Sequence, residues 1–313
     1  MEKNFKTLDE QIAILRAKGL IITDEAYAKK ILLRENYFFL NGYRHLFLKS
    51  ESNRIYIEGT TFEELYSLFL FDRNFRNIIF KNLLIIENNL KSIISYQLSK
   101  KYGYKEKDYL KPSNFTNDSI KQRQVNDLIK KMKRQVRING SKHSATMHYI
   151  SNYGYIPMWI LVKVLSFGII GEMYSILKKD DQIDIAKIYH LDSDVMEEYL
   201  PILANYRNLC AHEDILFENR TQKTIEDNLY HQVLQIPKMD GEYVYGKDDL
   251  FALIIIMKQV LDYEEFKNMI IELDQIINGL SYNLKCIEIK KVLDRMGFPP
   301  NWKDIESIKR SVV

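Results

Sequence analysis

The chain has 313 residues, 46% of them hydrophobic, which is enough for a substantial core. Its net charge is only +3, which excludes a polycation that coats nucleic acid with its whole surface. Glycine (12) and proline (6) are sparse, while tyrosine (21) and phenylalanine (15) are plentiful, which speaks for long helices and against a β-sandwich or a Rossmann fold.

The start, "MEKNFKTLDE", is charged and lacks the apolar stretch of a signal peptide. Residues 8–35 read as two short helices. In "LDEQIAILRAKGL", Leu8, Ile12 and Leu15 fall near helical spacing, and Gly19 is a natural C-cap. "TDEAYAKKILLREN" opens with Thr23 or Asp24 as N-cap. "YFFLNGYRHLF" (37–47) reads as a buried aromatic turn bent at Asn41-Gly42. Residues 61–103 form the strongest helical segment. Thr61 with Glu64 makes a capping box, and Ile79, Leu83, Ile86, Leu90 and Ile93 make one apolar stripe. Glu87 sits at the edge of that stripe.

Residues 104–155 are polar and turn-rich, with a helix through 119–137 followed by a loop. From Lys121 to His143 there are eight Lys/Arg and one acidic residue, Asp127. Such a run is either a solvated helix face or a phosphate-binding strip. In the second case Lys130, Lys131, Lys133, Arg134 and Arg137 are the contacts. Residues 156–179 read as one buried helix, with Pro157 in its first turn and Gly168 and Gly171 permitting close approach. In 191–220, Asp194 with Glu197 can cap a helix that Pro201 restarts or kinks and that runs unbroken to His212. The tail reads as helices 248–278 and 283–296, then "MGFPPNW". Its apolar run "LFALIIIM" (250–257) is too short to span a membrane. Cys210 and Cys286 form no CxxC and no disulfide framework, which fits a reducing cytosol. The expectation is a soluble, cytoplasmic protein with no membrane partner.

Two arginine–histidine pairs have the gap of four to six residues found in some RNA-cleaving sites: Arg207 with His212, and Arg137 with His143. Roughly one such pair arises by chance in a chain of this composition, so context decides. Arg137/His143 straddles Asn139-Gly140, a turn signal, and no helix fixes its geometry. In "NYRNLCAHE", Asn208 and His212 lie one helical turn apart, with Arg207 about 100° to one side. Ala204 and Ala211 are small enough for a second helix to approach. The rival reading of this stretch is a partly buried ion-pair cluster with Glu213 and Asp214. Cys210 reads as a small buried residue. No Walker A loop, GxGxxG, HExxH, GxSxG or metal-ligand spacing is present, so no cofactor and no metal is expected.

Several blocks in order resemble the Abi abortive-infection proteins of the AbiD/AbiF type. They are "RAKGLIITDEAYAKKILLRENYFFLNGYRHLF", "FEELYSLFLFDRNFRNII", "IPMWILVKVLSFGIIGEMYSIL", "YRNLCAHEDILFENR" and "MGFPPNW". One departure is Arg44, where the family pattern has a different residue. The resemblance extends to the HEPN superfamily of small helical nucleases. It implies an all-α, HEPN-like helical bundle with additional N- and C-terminal helices. Residues 1–50 would form an N-terminal helical segment packed on the core, 51–235 the HEPN-like core and 236–313 the C-terminal helices, together one compact unit.

The resemblance further implies a metal-independent endoribonuclease of phage defence, toxin-like in its action, with Arg207, Asn208 and His212 as catalytic motif and Glu87 as support. Two copies would meet at a homodimer interface. RNA is the expected partner, with a small RNA or a protein antitoxin as a further one. The chemistry suits the residues. RNA supplies its own 2′-OH nucleophile, histidine moves protons at neutral pH, and arginine neutralises the phosphate. The products would be a 2′,3′-cyclic phosphate and a 5′-OH. The alternative is a non-catalytic RNA-binding or RNA-regulated interaction protein that uses the motif as a phosphate clip.

Overall fold

The structure, a computed structural model, describes residues 4–50, 52, 54–139 and 142–310. Among them are fifteen α-helices, four short 3-10 helices and one two-stranded antiparallel sheet, so the chain is all-α. Thr7 and Glu10 form a capping box at the start of α1 (Leu8–Ala17). Asp24, not Thr23, caps α2 (Glu25–Glu35) by accepting from the Tyr27 amide. The aromatic block after it begins as a helix, α3 (Tyr37–Gly42), and turns at Tyr43–Arg44, just past the expected bend. It buries Leu40 but leaves Phe38 75% exposed, so only part of the block is core.

The next helix, α4, is 41 residues long, Phe62–Tyr102. Its capping box is present: the Glu64 amide donates to Thr61 Oγ1 at 3.2 Å and the Thr61 amide to Glu64 Oε2 at 3.3 Å. Ile79, Leu83, Ile86 and Leu90 are buried as the spacing predicts; the stripe then passes to Ile94 and Leu98, and Ile93 is only half-buried. Two charged residues, Asp72 and Arg76, occupy steps of the same stripe.

After α5 (Glu106–Tyr109) comes the basic helix α6, Gln122–Asn139. The loop expected beyond it contains another helix, α7 (Ser144–Tyr153), closed by Gly154 in the left-handed region. It buries one residue, Thr146, so it has no apolar stripe by which to announce itself. The segment read as one helix over 156–179 is two, α8 (Met158–Val164) and α9 (Phe167–Ser175). The Ser166 side chain takes the Ile169 amide and starts the second, and Pro157 is the N-cap of the first. An added Cβ on Gly168 would meet nothing and one on Gly171 would make ordinary contact with Leu200, so neither glycine marks a close approach.

α10 (Lys179–Ala186) leads to α11, Ser193–Ala211, which continues through Pro201 without restarting. Asp194 pairs with Lys179 at 2.5 Å and Glu197 with Lys121 at 3.3 Å, so these carboxylates bind across the fold. α12 (Leu229–Val233) precedes a small hairpin, β1 (Lys238–Met239) and β2 (Glu242–Tyr243). The tail has three helices in place of two: α13 (Leu250–Val260), α14 (Tyr263–Asn283) and α15 (Ile289–Met296). Gly297 ends the last with φ +81, and a Cβ there would sit 2.1 Å from the Asp249 carboxylate. That contact explains the glycine of "MGFPPNW". Among the described residues no helix is long and apolar enough to cross a membrane.

The chain divides into two compact units, each discontinuous in sequence. The first comprises Met1–Phe80, Leu209–Ile254 and Glu264–Ser307; the second Lys81–Asn208, Ile255–Tyr263 and Ile308–Val313. Neither coincides with the segments 1–50, 51–235 and 236–313. The first unit centres on Asp72. Its carboxylate accepts from Tyr43 Oη (2.7 Å), Arg76 (2.5 Å) and the amides of Leu216 (3.0 Å) and Phe217 (2.7 Å). Burial pushes this carboxyl up, and Arg76, the amides and the tyrosine pull it back. Tyr43 stacks on Phe217 with ring centroids 5.6 Å apart. The second unit packs α6, α8, α9 and α11 around Leu128, Leu161, Met173 and Leu203, all fully buried.

Removing Asp72 strands Arg76 and two amides in the interior. Asp72→Ala is expected to lower unfolding free energy by about 3–5 kcal/mol, measured from urea denaturation midpoints. A loss under about 1 kcal/mol would show that the buried network is not what joins α4 to residues 214–217.

Candidate functional site

The Arg207–His212 motif falls at the C-terminal end of α11. Tyr206 is fully buried and faces the core, which turns Arg207 and Asn208 outward; Arg207 is partly exposed and Asn208 exposed. Arg207 Nε donates to Glu87 Oε2 at 3.0 Å, and Lys91 Nζ donates to Glu87 Oε1 at 2.6 Å. Glu87 and Lys91 are buried, while the Arg207 side chain is 30% exposed. One carboxylate thus lies between two cations, and the outermost of the three groups is the arginine.

So the structure brings together Arg207 and the predicted supporting residue Glu87. Arg207 pairs with Glu87 on α4. Lys91 was not singled out from the sequence. Its signal was there: it follows Glu87 by one helical turn on the same buried face.

His212 is not on the helix. α11 ends at Ala211, and His212 is its exposed C-cap. The Asp214 amide donates to the Leu209 carbonyl at 3.2 Å and the Glu213 amide to the Cys210 carbonyl at 3.4 Å. This is a Schellman ending, and its left-handed position holds Glu213 (φ +56) where glycine is usual. A non-glycine residue there costs about 1–2 kcal/mol. The sequence could not show the ending because the glycine that signals one is missing. Cys210 is buried, and burial pushes its thiol up to about 12, so it is no nucleophile at neutral pH. Of the two small residues, Ala204 is already buried within the chain and Ala211 is exposed.

The second pair is split. Arg137 is exposed near the end of α6, and His143 is the half-buried N-cap residue of α7; Gly140 and Ser141 lie outside the described residues. The basic strip is not uniform. α6 buries Val125, Leu128, Ile129 and Met132 and exposes Lys130, Lys131, Lys133, Arg134 and Arg137. Lys131 is tied to both Glu172 oxygens at 2.8–2.9 Å, and Lys130 lies 3.7 Å from Asp127. Among the described residues no group of three His, Cys, Asp or Glu is placed to hold a metal ion.

The profile of the Abi-like protein family matches residues 30–218, which spans α4, α11 and the motif, and the chain belongs to that family. Membership points to abortive infection, a form of phage defence. Comparison with curated proteins and with solved structures gave no match.

The two sides of the ion pair are unequal. Glu87→Ala leaves Lys91 buried without its carboxylate, whereas Arg207→Ala leaves Glu87 still paired with Lys91. The first is expected to cost about 3 kcal/mol and the second about 1 kcal/mol or less, read from chemical denaturation of both variants. Equal costs would contradict the shared-carboxylate account.

Proposed function

We propose that this Abi-like protein is a metal-independent endoribonuclease of the HEPN type, acting in abortive infection. The observation that carries the reading is the buried Glu87 holding Arg207 at the end of α11, with Asn208 and His212 exposed on the same stretch of chain. Arg207 and Asn208 bind the scissile phosphate. His212 removes the proton from the 2′-OH, whose oxygen attacks phosphorus. The bond from phosphorus to the 5′-oxygen breaks, and the leaving oxygen takes a proton from a histidine. One imidazole cannot serve as base and acid in one step, so a second copy of the chain supplies the other. Exposed Ala211 and Asn208 leave room for that copy. Family membership supports the defence context, and the partly exposed Arg207 guanidinium supports an anionic substrate.

The test is cleavage of a labelled single-stranded RNA by the parent protein, His212→Ala and Arg207→Ala, with and without EDTA. His212→Ala is expected to lose at least about 10²-fold in rate while keeping RNA affinity. Arg207→Ala is expected to lose rate and some affinity, and EDTA is expected to change nothing. Cleavage that survives His212→Ala, or that EDTA abolishes, would overturn the mechanism. No cleavage by the parent, with binding weakened in both variants, would assign the motif to a phosphate clip.

A further inference from the structure

Five aromatic rings form a connected surface in the second unit. Tyr149 and Tyr153 have centroids 5.4 Å apart, Tyr153 and Tyr155 6.3 Å, Tyr155 and Tyr104 5.6 Å, and Tyr104 and Trp159 6.0 Å. Trp159 Nε1 donates to Tyr149 Oη at 3.4 Å and closes the loop of contacts. Tyr153 is 57% exposed, and Tyr104 and Trp159 are 43% exposed each. Single exposed aromatics need no explanation, but five in contact are a patch. Helix α7, which carries two of them, buries only Thr146 among its ten residues, so core packing does not account for it. The interplanar angles are 33–58°, so the rings are not stacked face to face on one another.

Charge favours one class of occupant. Lys105 Nζ lies 5.0 Å from the Tyr155 centroid and 5.8 Å from that of Tyr104. The next residue along the chain, Glu106, begins the lining of a cleft of about 420 Å³ that also includes Lys107, Lys111 and Lys133. Glu106 is itself engaged, since its Oε1 accepts the Ile156 amide at 2.5 Å, and Lys111 lies 3.6 Å from Asp108. Lys107 and Lys133 remain as exposed cations at the cleft. Aromatic faces for bases beside cations for phosphates are the two parts of a single-strand-binding surface.

We propose that this platform and the adjoining cleft bind unpaired nucleotides of RNA, bases on Tyr104, Tyr153 and Trp159, phosphates on Lys107 and Lys133. The choice of RNA rests on the nuclease reading above; the surface itself does not depend on cleavage. It also places the phosphate contacts of α6 at Lys133 and away from Lys131, which Glu172 neutralises.

The experiment uses the full chain carrying His212→Ala, so that the probe survives, and a labelled 12-nucleotide RNA pool of mixed sequence. On that background, Tyr153→Ala with Trp159→Ala is expected to weaken binding at least about tenfold with the salt dependence kept. Lys107→Gln with Lys133→Gln is expected to flatten the slope of log affinity against log salt by about 1.4. In the chain without the aromatic substitutions, fluorescence of exposed Trp159 is expected to be quenched on binding, while buried Trp302 does not respond. These surface variants should keep the parent circular dichroism. Undiminished affinity in the aromatic pair overturns the proposal, and so does a parent that binds no RNA. If those substitutions instead change the sedimentation mass or binding to anionic phospholipid vesicles, leaving RNA affinity alone, the patch is a contact for a second copy or a membrane and the proposal falls. A parent protein that binds RNA on the platform but does not cleave it would speak against the nuclease reading only.

Discussion

A carboxylate cannot sit unpaired in a protein interior, and α4 buries two that matter, Asp72 and Glu87. Each must find donors, and each finds them in the chain around the motif. Glu87 takes Arg207, just before the end of α11. Asp72 takes the amides of Leu216 and Phe217, a few residues after it. The desolvation cost of each carboxylate is offset only if these partners are in place, so the pairing demands a particular register between α4 and the segments it holds. This is a stronger specification than apolar packing alone, since a hydrophobic stripe tolerates small shifts and a four-donor carboxylate does not.

Between those two tethers residues 211–214 are exposed, and the backbone is strained at Glu213. His212 caps the helix, and Glu213 takes a left-handed conformation without being glycine. Cost of this kind persists where surrounding contacts over-determine the backbone. Here the contacts on either side are the carboxylate networks. On the mechanism proposed above, a histidine in such a short exposed segment needs little further ordering to reach a phosphate. Arginine contributes differently. Its tie to Glu87 through Nε restrains the side chain, which is still 30% exposed.

The sequence made some of this legible. The capping box at Thr61 and Glu64 and the stripe from Ile79 to Leu90 are periodic signals, and they located α4. Glu87 was legible as an acidic residue at the edge of an apolar face. Asp72 and Arg76 could have been found in the same way, as two opposite charges one turn apart on a buried stripe. Other features left no such trace. α7 buries one residue and so has no hydrophobic period. The break at Leu165-Ser166 lies inside an apolar run, where a single serine gives little warning. The end of α11 was hidden because glutamate stands at the left-handed position. The aromatic platform joins residues 104, 149, 153, 155 and 159, and only the packing of α7 and α8 shows that Tyr104 belongs with the rest.

On the mechanism proposed above, the end of α11 directs the RNA's own 2′-OH against its neighbouring phosphate. The ends of the cleaved strand record which oxygen attacked. Mass spectrometry of the products of a defined single-stranded RNA, incubated with the parent protein, is the most direct measurement. The account predicts a 2′,3′-cyclic phosphate on one fragment and a 5′-hydroxyl on the other. A 5′-phosphate with a 3′-hydroxyl would mean that water attacked the phosphate, and would contradict it.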